Sequence, residues 1–378
     1  MLFYSDWPLG YHNQEAERKA AYFAGRGYDV TYVAGVGIRN PRPSSLGKLA
    51  DRAVRKVRDR GSRGPARTDG LRTASLVVAP PRQLKPVRAT NAVWVERQLY
   101  RAVPDWEDAV AWVRVATPEL VDALERLGPR AVVYEIVDAH HVTPGLVGPW
   151  KAIFERAERR LVEQAAVVVA TNRTLMPRFE AWGADVRYVP HGVDLFDWDE
   201  TPPRGAVDDA VLGFVGTLDR RLDVEMLRHV ATERPRWRIR LIGPVETGFD
   251  PSALSDLPNV TVEPPVPHER VGEILAQFDI GVMPYADSPV YQHMSPLKNL
   301  ELMAAGKPAV ARPNGELQPY AELVRFAESG PEMVEQVERA LAEDSVELAR
   351  RRRAEAERSG WDGRLSDLEA ILDEVLAR

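Results

Sequence analysis

Short runs of apolar, often β-branched residues alternate with longer helical patterns from one end of the chain to the other. Several of these runs are apolar throughout, as expected for strands of a parallel sheet covered on both faces. Such alternation predicts right-handed crossovers and doubly wound α/β sheets. The predicted strands form two sets, at 2–5, 29–34, 75–80, 111–116, 131–137 and 167–171, and at 212–216, 238–243, 260–263, 280–284 and 308–312.

A segment rich in Pro, Gly and Asp, HGVDLFDWDETPPRGAVDD, separates the two sets of strands. With 378 residues the chain is too long for one ordinary core. We therefore predict a Rossmann-like domain over residues 1–190, a hinge over 191–210, a second Rossmann-like domain over 211–359, and a cleft between the two domains.

The final stretch, LSDLEAILDEVLAR, predicts an amphipathic helix that needs a partner surface. Its apolar residues lie on one stripe at helical spacing: Leu365, Leu368, Leu372, Val375 and Leu376.

Composition excludes several classes of site. The chain has no cysteine, so disulfides, thiolate metal sites and cysteine nucleophiles are excluded.

The first residues, MLFYSDWPLG, do not have the pattern of a signal peptide, and no run reaches the ~18 apolar residues of a membrane span. We predict a cytoplasmic protein without a nucleic-acid partner.

Residues 39–72 are strongly basic, although the whole chain has a net charge of −6. Apolar residues at near-helical spacing accompany the charges, so one hypothesis is a basic amphipathic helix that contacts anionic lipid at the inner face of the membrane. The alternative is a solvated helix followed by a Gly/Arg loop. Liposome co-sedimentation separates the two.

The stretch MSPLKNLELMAAGKPAVA, residues 294–311, predicts a short, well-delimited helix. Ser295 suits the N-cap, Pro296 the first helical position and Gly306 the C-cap, which places the helix at about 296–305. The amides at its start form an anion site, and Lys298 and Glu301 share one face. A phosphate beside a pair of hydroxyls, as in a nucleotide, would suit these two groups. The alternative is a solvated Lys–Glu ion pair.

Three further turns follow predicted strands, where α/β sheets bind ligands. The first, SDWPLGYHNQ, contains Gly10 and His12 and is not a G-x-G-x-x-G fingerprint. The third, FVGTLDRRLD, contains Gly216, where backbone can approach a ligand closely, and two arginines able to reach an anion, Arg220 and Arg221.

The second turn, EIVDAHHVTPG, contains Asp138, His140 and His141. Three residues this close rarely converge on one ion, and the D-x-D at 197–199 lies in an acidic linker. We predict no metal and no cofactor.

The run from Gly281 to Ala311 closely resembles the donor-nucleotide motif of retaining glycosyltransferases of the GT-B fold. The segments FVGTLDRRLDVEMLRHVATERPRWRIRLIGP and NVTVEPPVPHERVGEILAQFDIGVMPY resemble the same family. VPHGVDLF is similar to its interdomain signature, and VVYEIVD to the end of a first-domain strand. SGWDGRL is similar to the segment that leads into a C-terminal helix, here 360–378, which returns to the first domain.

The resemblance implies how the donor is held. Glu301 matches the second glutamate of the family's E-x7-E motif, which binds the ribose diol; a carboxylate offers two acceptors to two hydroxyls. The amides from Ser295 to Leu297, with Lys298, would hold the diphosphate. Arg221, or Arg220 beside it, would neutralise the same group. Gly10 and Gly216 would also contribute to donor binding. Val266 lies at a position where, in the family, the backbone contacts the base of the nucleotide.

The sequence departs from the family pattern at two positions. The first glutamate of the motif is replaced by His293, which faces the donor sugar in the family, so the sugar's identity does not carry over. Asp223 occupies one of the usual basic positions.

Asp138 falls near the reaction centre, so the resemblance implies catalytic roles for Asp138, Lys298 and Arg221. It places His12, His140 and His141 on the acceptor side. Asp138, His140 and His141 could equally cap a helix or satisfy buried backbone.

The resemblance predicts a hexosyltransferase-type enzyme that transfers a sugar from a nucleotide diphosphate to an acceptor hydroxyl, with retention and without metal. The acceptor would be a glycan, a lipid-linked compound or a small molecule. Two alternatives stay open: a nucleotide-sugar epimerase of the same fold, and a non-catalytic homologue that binds nucleotide sugar.

Overall fold

The computed structural model describes residues 1–5, 14–38, 71–103, 105–143, 146–196, 202–295 and 297–378. The chain forms two compact units, residues 1–189 with 365–378, and residues 190–364. Each unit contains one parallel sheet with helices, which confirms the predicted α/β class. None of the helices in the described ranges is long and apolar enough to span a bilayer.

Unit 1 contains a seven-stranded parallel sheet with the order β3-β2-β1-β4-β5-β6-β7. Its strands are β1 Leu2–Ser5, β2 Val30–Ala34, β3 Leu71–Ser75, β4 Val110–Val113, β5 Ala131–Ile136, β6 Val167–Ala170 and β7 Val186–Tyr188. Its helices are α1 Gln14–Gly25, α2 Lys85–Ala102, α3 Pro118–Leu127, α4 Gly148–Gln164 and α5 Met176–Glu180.

Every residue of β1, β2, β4 and β6 is buried, because helices cover both faces of the sheet. Alternate residues of each strand enter two separate apolar clusters. Leu2 and Tyr4 belong to one cluster, and Phe3 belongs to the other.

Unit 2 contains a six-stranded parallel sheet with the order β10-β9-β8-β11-β12-β13. Its strands are β8 Val211–Val215, β9 Arg238–Ile242, β10 Val260–Glu263, β11 Ile280–Met283, β12 Ala309–Ala311 and β13 Val324–Phe326. Its helices are α6 Val224–Glu233, α7 Val271–Ala276, α8 Pro289–Gln292, α9 Leu297–Ala304, α10 Gly330–Glu343 and α11 Val346–Arg358.

The last helix, α12 (Trp361–Leu376), carries the apolar stripe predicted from the sequence. Leu368, Leu372 and Val375 are buried in the unit 1 cluster that contains Phe3 and Trp112. The partner surface that the stripe requires is therefore one face of the first sheet.

The strand predicted at 75–80 is wrong. β3 ends at Ser75, because its partner β2 ends at Ala34 and leaves no ladder to continue. Side chains of α2 bind the following backbone instead: the Gln98 amide pairs with Val77, and the Asn91 amide pairs with Ala79. Apolar composition alone does not distinguish this extended segment from a strand.

The edge strands β7 and β13 were not predicted.

Candidate functional site

The strand order of unit 2 reverses between β8 and β11, which pair with each other. At such a switch point the two following loops leave in opposite directions and open a crevice beyond the carboxyl ends of the strands. Backbone hydrogen bonds join these loops here. The Ala286 N–H donates to the Arg221 carbonyl at 2.7 Å, and the Asp223 N–H donates to the Pro284 carbonyl at 2.8 Å.

Helix α9 follows the β11 loop and ends as the sequence predicts. Gly306 has a φ of 67° and donates to the Met303 carbonyl, while the Lys307 N–H donates to the Leu302 carbonyl at 2.9 Å. These two bonds form a Schellman motif, which needs the left-handed conformation that glycine adopts easily. At the other end, the Ser295 carbonyl accepts the Leu297 N–H. Pro296 lies outside the described residues.

Lys298 lies across the end of β8, against Gly216. A Cβ added to Gly216 would stand 2.7 Å from Lys298 Nζ and closer still to its Cε, and the φ of 153° at Gly216 also favours glycine. The glycine therefore admits a lysine side chain. Lys298 forms no hydrogen bond or ion pair with any residue in the described ranges and is only half-buried.

The Glu301 carboxylate, one turn further along α9, is also half-buried. It makes no hydrogen bond or ion pair within the described part of the chain, so the alternative of a solvated Lys298–Glu301 pair is wrong. Two opposite charges on the first turns of one helix thus form no hydrogen bond or ion pair with the described part of the chain. Unpaired charges at a partly buried site favour a ligand with complementary groups.

The charges of Glu301 and of the β8 loop both act on the buried Tyr285 side chain. Burial raises the pKa of Tyr285 well above its usual range, the positive charge of Arg221 opposes the rise, and the negative charges of Asp219 and Glu301 add to it. All three charged side chains are therefore near this buried ring.

Arg221 is held by Asp219, a residue that the sequence reasoning missed. Arg221 Nε donates to both Asp219 carboxylate oxygens, at 2.9 and 3.0 Å, and its backbone N–H donates to Oδ1 at 2.9 Å. This Asx turn was detectable as an acidic residue two positions before an arginine. Arg220, by contrast, is exposed and has no ion pair within the described ranges.

Asp223, the residue that departs from the family's basic pattern, has two structural partners. Its side chain caps α6 by accepting the Met226 N–H at 2.9 Å, and it accepts Arg312 Nη2 at 3.1 Å. Arg312 is buried and follows β12, the neighbour of β11. The acidic side chain at this position is therefore balanced by a cation from another strand.

Asn314 fixes the loop that precedes Ser295 and was also missed. Its Nδ2 donates to the carbonyls of Tyr291 and Met294, at 3.2 and 3.0 Å. Its Oδ1 accepts the N–H groups of Glu316 and Leu317, both at 3.1 Å. A buried side-chain amide whose nitrogen and oxygen both have hydrogen-bond partners fixes the two loops relative to each other.

The remaining predicted residues of unit 2 lie at the same edge of the sheet. His293 is half-buried at the end of α8, two residues before Ser295. Val266 follows β10 and packs partly against the core.

In unit 1, Asp138 is exposed just beyond β5, whereas His140 is buried with its ring edge-on to Phe154, 5.9 Å between centroids. His141 is half-buried beside it. Gly10, His12, the D-x-D and residues 39–70 of the basic segment lie outside the described residues. Within the described ranges no group of three or more His, Asp and Glu side chains could hold a metal ion.

A protein-family profile described as "Glycosyl transferase-like" matches residues 220–370. The chain is also 31% identical, over 172 residues, to the putative teichuronic acid biosynthesis glycosyltransferase TuaH of Bacillus subtilis (strain 168). That alignment covers 42% of this chain and 43% of TuaH, so the chain matches less than half of the length of this relative.

Solved structures share the fold over nearly the whole chain. HepE of Anabaena, in complex with UDP-glucose, has a TM-score of 0.63 at 14% identity and covers 99% of both chains. WaaG, a glycosyltransferase involved in lipopolysaccharide biosynthesis, has a TM-score of 0.61 at 17% identity and covers 94% of both chains. These comparisons confirm the GT-B fold and the resemblance to GT-B glycosyltransferases predicted from the sequence.

Proposed function

We propose that this chain, with its GT-B fold and a glycosyl transferase-like region at residues 220–370, is a glycosyltransferase that transfers a sugar from a nucleotide diphosphate to an acceptor hydroxyl. One observation carries the proposal. Lys298 and Glu301 present opposite charges on the first turns of α9, beside the switch point between β8 and β11, and neither forms an ion pair with the residues that the structure describes.

The donor is recognised by complementary chemistry. The amides at the start of α9 and the Lys298 ammonium bind the diphosphate, and the Glu301 carboxylate accepts hydrogen bonds from the ribose diol. Arg220, which has no ion pair within the described residues, is the arginine best able to add a second cation. A UDP-sugar is the first donor to test, because HepE, which shares the fold, is described in complex with UDP-glucose.

Catalysis rests on positioning and on stabilising the leaving group. The acceptor hydroxyl attacks the sugar carbon from the face that the diphosphate leaves, and a diphosphate oxygen takes the hydroxyl proton, which gives retention. Lys298 and the helix amides balance the charge that develops on the diphosphate, so no metal is required. Asp138 is proposed to act at the reaction centre and the neighbouring histidines on the acceptor side.

We propose that the acceptor is a polysaccharide or glycoconjugate precursor and that the enzyme is cytoplasmic. The support is the 31% identity with a putative teichuronic acid biosynthesis glycosyltransferase over 172 residues.

The donor site is tested with Lys298→Ala and Glu301→Ala, using calorimetry with UDP and a transfer assay with a panel of UDP-sugars. We expect transfer to fall about 100-fold or more in each, because a preorganised charge is lost. Arg339→Ala and Glu335→Ala are matched controls, since this pair lies exposed on α10. Normal turnover by both α9 variants would overturn the assignment of the site.

The same assay without an acceptor separates the alternatives. An epimerase converts the donor to an isomer when it is incubated alone. A non-catalytic homologue binds UDP in calorimetry yet neither transfers the sugar nor slowly hydrolyses the donor.

A further inference from the structure

Exposed apolar side chains are concentrated around one helix of unit 1. The described residues include eight exposed large hydrophobic side chains, and five of them lie on α2 or in the segment just before it. Their exposed fractions are 51% for Val77, 50% for Leu84, 39% for Val93, 46% for Trp94 and 59% for Tyr100.

Helix α2 buries only its inner face, which includes Val95 and Leu99. The opposite side of the helix is the outer face of α2, formed by Thr90, Val93, Trp94, Arg97, Tyr100 and Arg101, all of them exposed. Gln98 donates to the carbonyls of both Val77 and Trp94, at 3.0 and 3.1 Å, so Val77 lies beside the helix and extends the apolar area.

The charges on this helix have one sign wherever they are exposed. Arg97, Arg101 and Lys85 form no ion pair within the described ranges. Glu96, the acidic residue of the helix, is half-buried and already pairs with Arg126 at 2.8 Å. The outer face therefore combines large apolar side chains with cations that form no ion pair among the described residues.

We propose that the outer face of α2 is a docking surface for an anionic lipid bilayer. Trp and Tyr rings suit the boundary between headgroups and acyl chains, and arginines on the same face attract anionic headgroups. The proposed surface includes no residue of the basic segment 39–72, and the proposal does not depend on the proposed donor site.

Two other occupants fit these features less well. A second copy of the chain in a symmetric dimer would bring Arg97 and Arg101 of both copies into one interface without adding acidic partners, and these like charges repel. A nucleic-acid backbone would leave Val93 and the other aliphatic side chains without an apolar partner.

The absence of cysteine from the chain permits a specific probe. In the full chain, Thr90→Cys places an environment-sensitive fluorophore on the outer face, and Ala152→Cys places it on an exposed position of α4 as the control. We expect the emission at position 90 to shift to the blue with vesicles of phosphatidylcholine and phosphatidylglycerol, but not with phosphatidylcholine alone. The emission at position 152 should change with neither.

The charge contribution is tested with Arg97→Gln/Arg101→Gln in a vesicle co-sedimentation assay. Each basic residue near an anionic surface contributes about fivefold in binding, so the double variant should bind about 25-fold more weakly. Arg156→Gln/Arg159→Gln, on the exposed side of α4, should bind as the wild type does.

The apolar contribution is tested with Trp94→Ser/Tyr100→Ser. Binding of this variant to anionic vesicles should fall at least tenfold. The control is Leu195→Ser/Val245→Ser, which removes two exposed apolar side chains of unit 2 and should bind the vesicles as the wild type does. Circular dichroism checks that each variant is folded.

Three results would overturn the proposal. The first is no binding to anionic vesicles. The second is wild-type binding by both α2 double variants, which would place the contact elsewhere, for example in residues 39–72. The third is a shift at position 90 that depends on protein concentration without lipid, which would identify a protein interface.

Discussion

Replacing Gly216 by alanine is expected to disable the donor site through Lys298. The new Cβ would stand 2.7 Å from Lys298 Nζ and closer to Cε, so the lysine must leave the end of β8. Because the displaced atoms are the far end of a flexible side chain, the fold can accommodate the change. The φ of 153° at Gly216 adds backbone strain of about 1–3 kcal/mol to the folded state.

The loss in affinity follows from what Lys298 contributes. A hydrogen bond between an ammonium and a phosphate is worth about 1.5–3 kcal/mol, which corresponds to a Kd for UDP weakened about 10- to 150-fold. UMP lacks the second phosphate, so its Kd should change less. Calorimetry with UDP and UMP on the wild type and Gly216→Ala measures both values.

A double-mutant cycle tests whether Gly216 acts through Lys298. If it does, Gly216→Ala/Lys298→Ala binds UDP no more weakly than Lys298→Ala alone. Gly363→Ala is the control, because a Cβ there meets no atom within 4 Å and no positive φ is required. Additive losses in the cycle, or unchanged UDP affinity in Gly216→Ala, would refute the reasoning.

Three further predictions concern other parts of the molecule. Asn314→Ala removes two bonds to the loop before Ser295, so the free energy of unfolding in urea should fall by about 1–3 kcal/mol and UDP should bind more weakly; unchanged affinity would contradict this role. Burial alone would raise the pKa of Glu135, but Lys19 and Arg114 hold it below its ordinary value. A lowered folded-state pKa stabilises the protein above the unfolded pKa of about 4.3, and this contribution disappears as pH falls through the folded-state value. Between neutral pH and about pH 3, wild type should therefore lose more stability than Glu135→Gln; equal losses in urea titrations would argue against it. Transfer should proceed equally with EDTA and with magnesium, and a loss restored by magnesium would contradict metal-independent catalysis.

Much of the fold was predictable because parallel sheets covered on both faces leave a local signature. Largely apolar runs located β1, β2, β5 and β6 within one or two residues. The strand predicted at 75–80 was wrong because β3 needs a partner, and β2 ends at Ala34. The edge strands β7 and β13 have only three residues each, too few for a pattern to indicate.

The candidate site was predictable where a local motif defined it. The end of α9 at Gly306 follows from this glycine and from the proline two residues later, Pro308, which both act locally. The role of Asn314 could not be inferred, since its partners lie about twenty residues away on another loop. The ion pair between Asp223 and Arg312 could not be inferred either, because the two residues are 89 positions apart in the sequence.

The sequence by itself determined the α/β class, the glycosyltransferase resemblance and the position of helix α9, because periodicity, caps and glycines act within a few residues. Only the tertiary structure decided which charges are already paired. Asp223 is paired with Arg312 from another strand end, whereas Lys298 and Glu301 have no ion pair within the described ranges. A pair such as Asp223 and Arg312 depends on strand pairing that brings together distant parts of the chain, so no local pattern indicates it.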